Sequence, residues 1–155
     1  MKSQPQILAL VLFLAPWSLH SGEQLSLPAD YCRWEVQDFA IQQPLCGLRG
    51  DPVRGRRLVA DSHGGNCLAC HRMPIPEESL HGTLGPPLDG LAARMTAGQI
   101  RLHVVDQRQF NPETIMPGFY RDPRLANRVA DAFFGKTFLT AQQVDDVVTY
   151  LETLK

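Results

Sequence analysis

Apolar residues recur at helical intervals in three stretches of this chain, and the last is the clearest. Val144, Val147, Val148, Leu151 and Leu154 keep to one helical face. Thr140 and Gln143 supply the capping box that would start that helix. Upstream, Asp51-Pro52 sets an N-cap residue before a proline at the first helical position. Gly55, Leu58, Val59 and Ser62 then share a face until His63-Gly64-Gly65, where the helix is expected to stop. Thr96 caps a third helix, which Asn111-Pro112 ends near residue 109, and a shorter helical stretch is expected over 88–95. Proline and glycine crowd the stretch 74–87, and prolines punctuate 112–123, so both read as loop. No segment alternates with period two over β-branched residues, and none repeats. The pattern predicts a mainly α fold with long loops.

The first 22 residues read as an address. Lys2 precedes an unbroken apolar run over 7–15, followed by Pro16, Trp17 and small or polar residues to Gly22. That is the layout of an export signal, with cleavage expected at about residues 20–23. As a helix the run rises ~14 Å, about half the hydrocarbon core, so no membrane anchor is expected once the signal is removed. The organisation that follows is a signal peptide over 1–22, an irregular or briefly helical extension over 23–50 and one domain over 51–155. Hydrophobic residues make up 44% and charged residues 20% of the chain, a globular balance. A net charge of -1 leaves no basic surplus to displace counterions from phosphates, which argues against a nucleic-acid partner.

Chemistry concentrates at Cys67-Leu68-Ala69-Cys70-His71, a C-x-x-C-H pentad and the attachment pattern of c-type haem. Two thiols three positions apart can each add to one vinyl group of the porphyrin, and the next residue can offer its imidazole to the iron. Other uses of the pair fit less well. Structural zinc would want a second closely spaced pair, which Cys32 and Cys46 do not form. A redox dithiol of thioredoxin type would want a βαβ context, and a disulfide within the pentad would leave His71 idle. The expectation is one covalent haem c on Cys67 and Cys70, with His71 as an iron ligand.

A second axial ligand must come from elsewhere unless the iron is open. Met1 leaves with the signal, and Met73 is too near His71 to reach the opposite face. Met116 lies in the proline-stiffened Asn-Pro-Glu-Thr-Ile-Met-Pro at 111–117, far enough along the chain to wrap a haem, and is the expected ligand. Met95 closes an apparent helix and reads better as core. His63, His81 and His103 read as ordinary surface or core histidines. With two cysteines committed to haem in an oxidising compartment, Cys32 and Cys46 are expected to form a disulfide. Arg49, Arg54, Arg56 and Arg57 read as a solvated helix face, steering of an acidic partner being the alternative.

Gly55 on a first helix, the pentad, Gly85-Pro86-Pro87-Leu88-Asp89-Gly90 and a late Met116-Pro117 occur in the order of class I cytochromes c, a family this chain resembles. The resemblance implies first and last helices crossing at Gly55 against Tyr150 or Val147. It also implies that the Pro86 carbonyl accepts the second ring proton of His71. More narrowly, residues 65–71, 111–119 and 139–151 are similar to those of the SoxX family, monohaem subunits of thiosulfate-oxidising SoxAX complexes. That likeness implies a periplasmic electron-transfer subunit of an L-cysteine S-thiosulfotransferase complex, not catalytic alone. Its partners would be SoxA, indirectly SoxYZ, and a downstream electron acceptor. A free-standing electron carrier and a haem enzyme with an open iron are the rival readings.

Overall fold

The structure is a computed structural model and describes residues 26–125 and 129–155. The expected signal over 1–22 lies outside the described residues. Among the described residues three α-helices carry the fold: α1 (Pro52–Ala60), α2 (Ala97–Asp106) and α3 (Ala141–Leu151). Short 3-10 turns punctuate the loops. Among the described residues the only extended pairing is an isolated bridge between Gln37 and Ala40, and the mainly α fold with long loops holds.

Each helix starts where its cap dictates. The Asp51 carboxylate accepts from the amides of Val53 and Arg54 at 2.8 and 3.1 Å, which satisfies two of the donors a helix start leaves free. Thr96 with Gln99, and Thr140 with Gln143, form reciprocal capping boxes at α2 and α3. The ends depart from expectation. α1 stops at Ala60, short of His63-Gly64-Gly65, because Asp61 is extended and its carboxylate and carbonyl capture the amides of His63, Gly64 and Asn66. α2 stops at Asp106, whose carboxylate accepts from Arg108 and opens a separate 3-10 turn over Gln107–Gln109. The helical stretch foreseen over 88–95 contracts to a turn at Leu91–Ala93 behind a left-handed Gly90.

α1 and α3 pack most closely. Val144, Val147 and Val148 of α3 are fully buried with Val59 of α1, each such side chain contributing roughly 1.5–3 kcal/mol of burial. At the crossing Gly55 meets α3. A β-carbon there would lie 1.9 Å from the Asp146 carbonyl oxygen and 2.8 Å from Tyr150 Cβ, so the contacts are Asp146 and Tyr150, with Val147 not among the nearest atoms. Gly50 makes a second approach of the same kind, to the Asp145 carbonyl and the Thr149 hydroxyl.

Two carboxylates on α3 bind the remaining elements. Asp145 is buried and accepts from Arg101 of α2 and from the amide of Leu45 in the N-terminal extension, both at 2.7 Å. Asp146, also buried, takes both Nε and Nη2 of Arg54, the amide of Asp51 and the side-chain amide of Gln142. The arginine cluster is a solvated face, with Arg49, Arg54 and Arg57 exposed, but two of its members also make ties across the fold. Arg54 ties α1 to α3, and Arg56 pairs with Glu77. Cys32 and Cys46 form a disulfide with their Cα atoms 5.5 Å apart, and it closes the extension on itself.

Candidate haem site

Asn66 takes a left-handed backbone, and Cys67–Ala69 then form a 3-10 turn. The amides of Cys70 and His71 both return to the Cys67 carbonyl, at 3.1 and 2.9 Å. Leu68 is buried and roots this turn in the core, which leaves the free thiols of Cys67 and Cys70 half-buried beside it. A second strip of chain runs along the turn. The amides of Gly82, Gly85 and Leu88 donate to the carbonyls of Leu68, Cys70 and Arg72 at 2.7, 2.8 and 2.9 Å. Side chains would not fit here. A β-carbon on Gly82 would sit 2.0 Å from the Ala69 carbonyl, and one on Gly85 would sit 2.3 Å from His71 Cε1.

The same strip presents Pro86. His71 Nδ1 lies 2.8 Å from the Pro86 carbonyl, and a carbonyl can only accept, so Nδ1 carries the proton. The lone pair is then on Nε2, the atom a metal would take. A hydrogen bond of this kind orients the ring and raises its basicity as a ligand. Sequence reasoning reached Pro86, but Gly82 and Gly85 stayed unassigned. For Gly85 the signal is its place at the head of Gly85-Pro86-Pro87-Leu88-Asp89-Gly90, and for Gly82 only its nearness to the pentad.

Met116 arrives from a different loop. Asn111 holds the loop entrance, its side chain accepting from the Glu113 amide and its carbonyl from Thr114. The Thr114 hydroxyl accepts from the Met116 amide at 3.1 Å. Met116 is half-buried and packs against the apolar core that Cys67 also borders, as does Met95. Met73 is buried within that core, and its amide donates to His81 Nδ1. His81 is thereby a loop brace. His103 stacks on Phe110 with ring centroids 4.1 Å apart, and His63 is exposed beside Asp61.

Burial pushes the Cys67 thiol up to about 12, the reverse of what a redox dithiol or a metal thiolate needs. Among the described residues no three His, Cys, Asp or Glu side chains cluster to hold a metal ion unaided. The donor set suits a covalently held haem instead: two thiols on one tight turn, an adjacent imidazole with Nε2 free, and a glycine, Gly85, that lets backbone press against that ring. Among the described residues no helix is long and apolar enough to cross a membrane.

Comparison with known proteins agrees with this geometry. The cytochrome c family profile matches residues 52–155. A chain of the crystal structure of SoxXA from P. pantotrophus is 36% identical, with a TM-score of 0.69, and the match covers 79% of this chain and 94% of that one. No curated protein sequence matches. The family profile covers the three helices, the pentad and the methionine loop together, and the chain belongs to the cytochrome c family, with the class I fold and a resemblance to SoxX.

Proposed function

We propose that this electron-carrying cytochrome is a SoxX-type subunit of the periplasm. It would carry one haem on Cys67 and Cys70 with His71 and Met116 as axial ligands. It would relay electrons for a SoxA partner while thiosulfate is joined to a carrier cysteine of SoxYZ. The observation that carries this reading is the 36% identity extending over 94% of a chain from a SoxXA structure.

The residues of the chain divide the work. Cys67 and Cys70 hold the cofactor, His71 presents Nε2, and the Pro86 carbonyl keeps the proton on Nδ1. Gly85 keeps backbone against the ring and limits its tilt. Haem c bound there supplies a one-electron ferric–ferrous couple. Forming a sulfur–sulfur bond at a carrier cysteine wants a reactive thiolate or an open metal. This chain reserves neither for it, because Cys32 and Cys46 are bonded to each other, Cys67 and Cys70 would be thioethers to the haem, and Met116 would occupy the iron's remaining position. That chemistry falls to SoxA.

The test is reconstitution. The purified holoprotein should be redox-active yet fail to conjugate thiosulfate to SoxYZ, and addition of SoxA should bring conjugation with electrons reaching this haem. Conjugation by this chain alone, or no binding to SoxA at micromolar concentration, overturns the reading in favour of an independent carrier.

A further inference from the structure

The segment 112–118 around Met116 is held weakly from within. Its backbone hydrogen bonds, Glu113 and Thr114 to Asn111 and Met116 to Thr114, are all local. The first long-range holds come just after it. The amides of Phe119 and Tyr120 donate to the carbonyls of Val104 and Val105 in α2, both at 3.2 Å, and the Phe119 carbonyl accepts from Leu139.

Tyr120 is where the N-terminal extension takes hold. Only 1% exposed, it commits every polar group it has. Its hydroxyl oxygen accepts from the Cys32 amide at 2.8 Å, and its carbonyl accepts from the Trp34 indole at 3.2 Å. Its ring stacks on Tyr31 with centroids 4.9 Å apart. Cys32 is itself fixed, since its disulfide partner Cys46 follows Leu45, whose amide is bound by buried Asp145. The route from α3 to Tyr120 therefore runs through a covalent link, and Pro117 and Gly118 leave little slack between Tyr120 and Met116. A β-carbon on Gly118 would lie 2.4 Å from Arg121 Cδ, and Arg121 is paired with Asp106 at 3.1 Å.

We propose that the disulfide-closed extension is a clamp on the methionine loop, with Tyr120 as the positioning residue through which it sets how often Met116 swings away. This rests on the reading of Met116 as an axial ligand. The distinction from a merely stabilising extension is kinetic. An added ligand such as imidazole gains access only while the loop is open, so its substitution rate on the ferric holoprotein reports local opening and not global stability.

Substitution by imidazole should be compared by stopped flow in the parent, in Tyr120→Phe and in the Cys32→Ala/Cys46→Ala double variant. Tyr120→Phe keeps the ring stack but leaves the Cys32 amide without its acceptor, and its rate should rise about tenfold, the worth of one ordinary hydrogen bond. The double variant should rise at least as far. Hydrogen exchange at the amides between Glu113 and Gly118 should quicken in both. Asp51→Ala, which removes the α1 cap and lowers global stability, should leave the imidazole rate at the parental value. Parental rates in Tyr120→Phe and the double variant overturn the clamp. If Met116→Ala then opens the site, the axial-ligand reading survives that loss, whereas an unchanged rate in Met116→Ala overturns both.

Discussion

Gly55 of α1 lies so close to Asp146 of α3 that a β-carbon on it would stand 1.9 Å from the Asp146 carbonyl oxygen. A backbone carbonyl inside a capped helix cannot yield as a flexible side chain can, so Gly55→Ala must part the two helices. The expected cost is at the upper end of the overpacking range, about 3 kcal/mol. Urea unfolding of the holoprotein should show a lower midpoint at an unchanged slope. Gly47→Ala makes the control. Gly47 has a left-handed φ of 66° and open space around its Cα, so only backbone strain of about 1–2 kcal/mol opposes the new methyl group.

The helices were legible because caps and periodicity are local. Asp51-Pro52, Thr96 and Thr140 mark three starts, and α3's valine spacing marks its buried face. Asp145 and Asp146 were not legible, because a polar pair between Val144 and Val147 reads as solvent-facing. Their partners Leu45, Arg101 and Arg54 are distant in sequence, and only the fold brings them together. The tie from exposed Arg54 to Asp146 is hidden from the sequence for the same reason. At the haem site the pentad and Pro86 could be read from residue chemistry and resemblance. The Gly82 and Gly85 contacts could not, since they are made by backbone atoms that leave only the absence of a side chain in the sequence.

Covalent attachment should depend on both thiols, and ring placement on Gly85. Mass spectrometry of denatured protein, made with a haem-ligation system, should show one haem per chain, and none in the Cys67→Ala/Cys70→Ala double variant. Gly85→Ala should keep the covalent haem but shift its potential, because the added methyl group would press on His71 Cε1 and disturb the bond to Pro86. A redox titration with an unaltered midpoint would remove Gly85 from the positioning of His71.

Acid should loosen the α1–α3 crossing through Asp146. Burial pushes its carboxyl up, but the Arg54 guanidinium, the Asp51 amide and the Gln142 amide together hold it below the usual carboxylate range. A group whose native pKa is depressed contributes stability above its unfolded value and loses it as pH falls through the native one. The loss should therefore begin near pH 3.8, the ordinary aspartate value, and continue below it. Asp146→Asn should lose about 1.5–3 kcal/mol at neutral pH, the worth of hydrogen bonds to a charged group, and show a shallower acid limb. Urea midpoints measured from neutral to acid pH check both; an acid limb as steep as the parent's would mean other carboxylates carry it.

The two half-buried methionines that border the core are separated by what holds them. Met95 follows the Leu91–Ala93 turn, and its amide is tied to the Leu91 carbonyl, as suits a packing residue. Met116 projects from a loop whose turn is set by Asn111 and Thr114 and whose exit is pinned at Phe119 and Tyr120, so its side chain can be presented to a partner. A thioether favours the ferrous iron more than a second imidazole does. Met116→His should therefore keep a six-coordinate, low-spin haem while lowering its potential, which redox titration followed by absorbance will show. Met95→Leu nearly conserves volume in the core and should cost less than about 1.5 kcal/mol with the spectrum unchanged. If low-spin coordination is lost in Met95→Leu and kept in Met116→Ala, the ligand is Met95, and the loop over 111–117 serves the core instead.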